Sequence, residues 1–124
     1  MPNWCENRVS ISADADQIKE IKELFSQDHP FNALIPQPSE EELPQGNDFT
    51  PGWYSWRVNN WGTKWDIDAA DVSFTEDEDE YLQMHFMTAW APPTGICEKL
   101  REKYEDASIT WFYDEPGIQD AGYI

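Results

Sequence analysis

A chain of 124 residues, 40% hydrophobic and 15% aromatic, has the material for one core of ordinary size and hence for one domain. Its 25 acidic residues against 8 basic ones leave a net charge of -17 at pH 7, which repels phosphate backbones and anionic membranes and so excludes ordinary nucleic-acid binding. Seven Trp, five Tyr and six Phe exclude disorder as the source of that acidity, because chains too polar to fold are poor in aromatics.

The opening Met-Pro-Asn-Trp-Cys-Glu carries neither a basic n-region nor an apolar h-region, so no secretory leader is expected. No apolar run approaches the ~20 residues that span a bilayer. The expectation is a cytoplasmic protein with reduced thiols at Cys5 and Cys97 and no membrane contact.

Residues 8–13 alternate, Val9, Ile11 and Ala13 on one side and Arg8, Ser10 and Ser12 on the other, which predicts a half-buried first strand. Asp14 and Gln17 have capping-box spacing, and Ile18, Ile21, Leu24 and Phe25 recur at helical intervals, so a first helix runs to about Gln27. Pro30, Pro36, Pro38, Pro44 and Pro51 then argue against regular structure and predict a long insertion loop, about residues 28–66. Residues 71–75 alternate again. Leu82, Met84, Phe86, Thr88 and Trp90 alternate with Tyr81, Gln83, His85, Met87 and Ala89, giving a hairpin whose turn, residues 76–80, is five carboxylates that only solvent tolerates. A second helix follows Pro92 and Pro93 over residues 94–107, with Ile96, Cys97, Leu100 and Tyr104 on one face. Ile109, Trp111 and Tyr113 mark a fourth strand at residues 108–113, and Glu-Pro-Gly at 115–117 turns the chain into a tail with room for a fifth.

The order β-α-insertion-β-β-α-β predicts an α+β domain over residues 1–124 of the ferredoxin-like, split βαβ type, an antiparallel sheet with two helices on one face.

Several ordered motifs carry a family resemblance: Met-Pro-Asn-Trp-Cys-Glu-Asn-Arg at 1–8, Phe-Asn-Ala-Leu-Ile-Pro-Gln-Pro at 31–38, Asn-Asn-Trp-Gly-Thr-Lys-Trp-Asp at 59–66, Thr-Ala-Trp-Ala-Pro-Pro at 88–93, and Glu-Pro-Gly at 115–117 with Gly122. Together they span the chain, and it resembles the YubB-like family of phage- and plasmid-borne proteins. The resemblance implies a ferredoxin-like domain and a mobile genetic element, and it brings no catalytic residues, because that family is functionally uncharacterised.

Two surfaces are candidates for function. Asn59, Asn60, Trp61, Lys64 and Trp65 combine amides, aromatic area and one cation, enough to hold a planar or anionic, nucleotide-like ligand. The same residues could instead pack the open sheet face beneath the insertion, the amides satisfying loop backbone. Asn3, Trp4 and Asn7 either join that surface or form a structural N-terminus. The second surface is acidic: Glu76, Asp77, Glu78, Asp79 and Glu80 in the hairpin, Glu98, Glu102, Glu105 and Asp106 on the second helix, with Glu40, Glu41 and Glu42 in the insertion. Carboxylates can stand where phosphates would, so the expected partner is a basic host protein whose nucleic-acid groove this surface would occupy. The bland alternative is that the charge only maintains solubility.

No catalytic site, metal or cofactor is assigned. Cys5 and Cys97, with only His29 and His85 for company, lack the close spacing of zinc ligands, and Cys97 belongs on the apolar face of its helix. Residues 76–80 lack the glycine and ligand spacing of a calcium loop. His85, opposite Met84 and Phe86 on its strand, reads as a general base or as a solvated histidine.

Overall fold

The computed structural model describes residues 3–47 and 49–124; Met1 and Pro2 of the opening motif lie outside them. Strand β1 (Trp4–Ser12) buries Cys5, Asn7, Val9 and Ile11 and turns Glu6, Arg8 and Ser10 to the other side. It begins earlier than the alternation of aliphatic residues suggests, because its first inward positions hold Cys and Asn. Helix α1 (Ala15–Phe25) starts where the Asp14 carboxylate accepts the Gln17 amide at 2.9 Å, and it buries Ile18, Ile21 and Phe25.

Strands β2 (Ser73–Glu78), β3 (Tyr81–Ala89), β4 (Ser108–Glu115) and β5 (Asp120–Tyr123) complete a five-stranded sheet in the order β2-β3-β1-β4-β5, each pairing antiparallel. Helix α4 (Thr94–Lys103) connects β3 to β4 and buries Ile96, Cys97 and Leu100. The fold is ferredoxin-like, as the order of elements predicts, with β5 added at one edge. The expected five-carboxylate turn is shorter than foreseen. Glu76, Asp77 and Glu78 extend edge strand β2 past a bulge at Thr75, and only Asp79 and Glu80 turn.

The insertion is more regular than its prolines suggest. It contains α2 (Pro30–Leu34) and α3 (Gly52–Asn60). Pro30 occupies the first turn of α2 and Pro51 immediately precedes α3, positions where a missing N–H costs nothing. These prolines therefore start helices rather than forbid them. Asp66 caps α2 from a distance: its carboxylate accepts the amides of Phe31 at 3.0 Å and Asn32 at 2.8 Å.

The insertion packs on the helix-covered face and enlarges the one core. Phe86 of β3 lies 5.7 Å from Trp111, 5.8 Å from Phe25 and 6.1 Å from Phe31, and Phe31 lies 6.1 Å from Trp61. Burial of each such phenylalanine contributes roughly 1.5–3 kcal/mol. At the far end of α3, the Gly95 amide donates to the Trp61 carbonyl at 3.1 Å, and a Cβ on Gly95 would stand 1.9 Å from the Asn60 carbonyl oxygen. That approach of α3 to α4 admits only glycine. Among the described residues, no helix is long and apolar enough to cross a membrane.

Candidate binding site

At the end of the sheet where β1 begins and β3 ends, a buried polar network replaces the aliphatic core. Asn7 Nδ2 donates to Thr88 Oγ1 at 2.9 Å and to the Cys5 carbonyl at 3.2 Å, while Asn7 Oδ1 accepts the Trp111 indole N–H at 3.0 Å. Thr88 passes its own proton to the Ala91 carbonyl at 2.7 Å, and Thr63 donates to the Ala89 carbonyl at 2.9 Å. These bonds hold the turn after β3. There Trp90 takes φ 70, left-handed and uncommon for a large residue, while its amide donates to the Asn3 carbonyl at 2.8 Å. Sequence alternation places Trp90 in the inward row with Thr88. The left-handed turn corrects that, rotating the indole outward to 45% exposure.

Trp90 is one of three indoles exposed here, with Trp4 at 43% and Trp65 at 38%. The Lys64 ammonium stands 4.2 Å from the centre of the Trp65 ring and 5.9 Å from that of Trp90. Trp65 and Trp4 lie 6.1 Å apart at 44° and form adjoining walls of a cleft of about 320 Å³, completed by Asp66, Ile67, Asp71, Met87, Thr88 and Ala89. Burial raises the Asp66 pKa, and the amides of Asn32, Ile67 and Phe31 oppose that shift. Asp71 is exposed, and one of its oxygens accepts the Asp68 amide at 3.1 Å.

The five residues singled out from the sequence divide. Lys64 and Trp65 reach the surface together, and Asn59 is exposed beside them in sequence. Asn60 bonds back to the Trp56 carbonyl at 2.8 Å. Trp61 is 1% exposed, with its indole N–H donated to the Ile35 carbonyl at 2.9 Å. Of the two readings of this segment, Trp61 thus follows the packing one, though against the helical face, and Trp65 follows the surface one. Arg57 escaped notice in the sequence. It is wedged between Trp53 at 4.9 Å and Trp61 at 5.0 Å, donates to Gln37 at 2.6 Å and to the Lys64 carbonyl at 3.1 Å, and so ties α3 to the Lys64 backbone. Trp4 stands beside Trp65, where the sequence had it as one of two alternatives, whereas Asp66, Asp71 and Met87 of the cleft were missed, because the segment before β2 meets the end of β3 only in the folded chain.

The acidic residues Glu76, Asp77, Glu78, Asp79, Glu80, Glu98, Glu102, Glu105 and Asp106 are all exposed. Lys22 pairs with Asp77, and Lys99 lies 3.5 Å from Glu102. Both thiols are buried. Burial, the nearby Glu115 carboxylate adding to it, pushes Cys5 up to about 11, and burial also raises Cys97. His85 lies on the opposite, open face of the sheet, paired across from Arg8.

No curated protein matches the chain by sequence. Among solved structures it is similar to the crystal structure of protein Api92 from Yersinia pseudotuberculosis, with a TM-score of 0.67 over 99% of this chain and 93% of the other at 10% identity. At that identity the likeness concerns the fold alone. The sequence model of the family described as "Ferredoxin-like domain in Api92-like protein" matches residues 61–124, just over half of the chain, from Trp61 through the hairpin, α4, β4 and β5. The chain belongs to the family of Api92-like proteins that carry this ferredoxin-like domain.

Proposed function

We propose that this protein is a non-enzymatic, acidic interaction protein of a phage or plasmid, which occupies the basic groove of a host defence or nucleic-acid-handling protein as a nucleic-acid mimic. The observation that carries the reading is the gathering of carboxylates at one end of the sheet. Ser12 at the end of β1 pairs with both Tyr81 and Ser108, so the β2–β3 tip and the α4–β4 connection flank the start of α1. Asp14, Asp16, Glu78, Asp79, Glu80, Glu105 and Asp106 thereby share one exposed pole, a field that draws basic surfaces. The resemblance of the motifs to phage- and plasmid-borne proteins supports the mobile-element part. The test is competition with duplex DNA for a panel of basic nucleic-acid-binding proteins at increasing salt. Displacement should fade with salt and disappear when Glu76, Glu78, Glu80, Glu102 and Glu105 are changed to Lys; displacement unchanged by those substitutions would sink the idea.

A second reading, a small-ligand binder or sequestering protein for a nucleotide-like molecule, has one supporting observation: Lys64 and Trp65 stand together at the surface beside a cleft. It predicts salt-tolerant thermal stabilisation by some member of a nucleotide panel.

A further inference from the structure

The cleft at Trp4 and Trp65 has two kinds of wall. Trp4, Trp65 and Met87 contribute polarizable apolar surface, and two acidic residues line it as well: Asp71, which is exposed, and Asp66, whose oxygens accept the Phe31, Asn32 and Ile67 amides. An anion entering it would meet like charge in a site partly shielded from water. A neutral apolar ligand would strip water from the Asp71 carboxylate and return no partner. An organic cation satisfies both walls, its charge facing the Asp71 carboxylate while its C–H groups or guanidinium plane lie on an indole. The protein uses the same chemistry next door, where the Lys64 ammonium rests over Trp65, although Lys64 does not line the cleft.

We propose that this cleft is a binding site for an organic cation, a guanidinium or alkylammonium head, with Trp4 and Trp65 as its aromatic walls, Met87 in its apolar lining and Asp71 as counter-charge. The site is open at the surface, so the head can belong to a free molecule or to a side chain of another protein. The inference does not depend on the acidic pole having a partner, and it assigns the aromatic surface a ligand opposite in sign to a nucleotide.

The experiment is a titration of the full chain with N-acetylarginine amide, N-acetyl-trimethyllysine amide, choline and AMP, following tryptophan fluorescence and the indole N–H resonances of Trp4 and Trp65. At least one of the three cations should bind saturably and move both resonances. Trp4→Ala should weaken it about tenfold, the scale of a single cation–π interaction in a partly desolvated site. Asp71→Asn, which keeps the acceptor for the Asp68 amide, should weaken it severalfold, and Lys64→Met should strengthen it by removing a like charge. Trp4 is 43% exposed, so its removal leaves the core intact; Trp4→Phe, which keeps a ring, should restore most of the affinity. Preference for the blocked amino acids identifies a protein side chain as the source, and equal binding of choline identifies a free cation. No saturable response to any cation overturns the proposal, as does a response indifferent to Trp4→Ala and Asp71→Asn. AMP binding that weakens in Lys64→Met, with the cations silent, overturns it in favour of an anion site.

Discussion

Asn7 sits where the alternation of β1 calls for an aliphatic side chain, and it is 0% exposed. Its amide is tolerated there because every polar atom has a partner, including the Trp111 indole N–H and the Thr88 hydroxyl. Asn7→Ala orphans the Trp111 donor inside the core and should cost about 2–3 kcal/mol in urea unfolding. Asn59→Ala, exposed on α3, should cost nothing measurable; equal losses in the two variants would mean the network is idle. Cys5, also 0% exposed, gives a second check. With its pKa raised from 9.0 to about 11, about one thiol in a hundred to a thousand is ionised at pH 8 to 9, and that fraction is shut away from reagent. Native protein should leave Cys5 and Cys97 unlabelled by a disulfide reagent at pH 8, and both should react on unfolding. The sign for stability follows from the same shift. The unfolded thiol ionises first, so the contribution present below pH 9 should be lost progressively as pH rises towards 11.

At the scale of elements, Asp66 shows why part of the fold was legible and part was not. The strands and both long helices could be read wherever the inward residues are aliphatic or aromatic, as at Val9 and Ile11 or Leu82, Met84 and Phe86. The start of β1 could not, because Asn7 is polar yet buried. The helix α2 could not either, since the group capping it lies 35 residues further along the chain and no local window contains it. The same blindness affects the site: Trp61 and Trp65 are alike in sequence, and only the docking of α3 against α4 at Gly95 sends one into the core and leaves the other on the surface. Exposure of the carboxylates at 76–80 was legible because mutual repulsion requires it, whereas their pairing in β2 depends on β3. If Asp66 is what orders the insertion, Asp66→Ala should cost about 1–2 kcal/mol and should act locally. In hydrogen exchange, amides of α2 and of the segment after it should lose protection while β1 and β3 keep theirs. Equal loss across sheet and insertion would contradict a local cap.

The whole molecule is polarised. Carboxylates gather where β1 ends and exposed indoles where it begins, and the 9 residues of β1 put roughly 27 Å between those poles. That is several Debye lengths at physiological salt, about 8 Å each, so the poles act as independent surfaces. Within the acidic pole the distances are short. Glu76 and Glu78 follow one another along the exposed edge strand and Glu80 lies in the turn beyond, while Lys22 pairs with the intervening Asp77. The folded state therefore carries self-repulsion that the expanded chain relieves, and this opposes folding most when ions are scarce. Raising sodium chloride from about 10 mM, with its ~30 Å screening length, to physiological strength should raise the melting temperature by a few degrees. Glu78→Lys with Glu80→Lys should raise it at low salt and flatten the dependence, whereas Lys64→Met at the other pole should leave the slope nearly unchanged. A slope identical in the parent chain and the charge-reversed chain would mean that the repulsion is spread over the whole surface, and the acidic pole would then lose its standing as a distinct electrostatic feature.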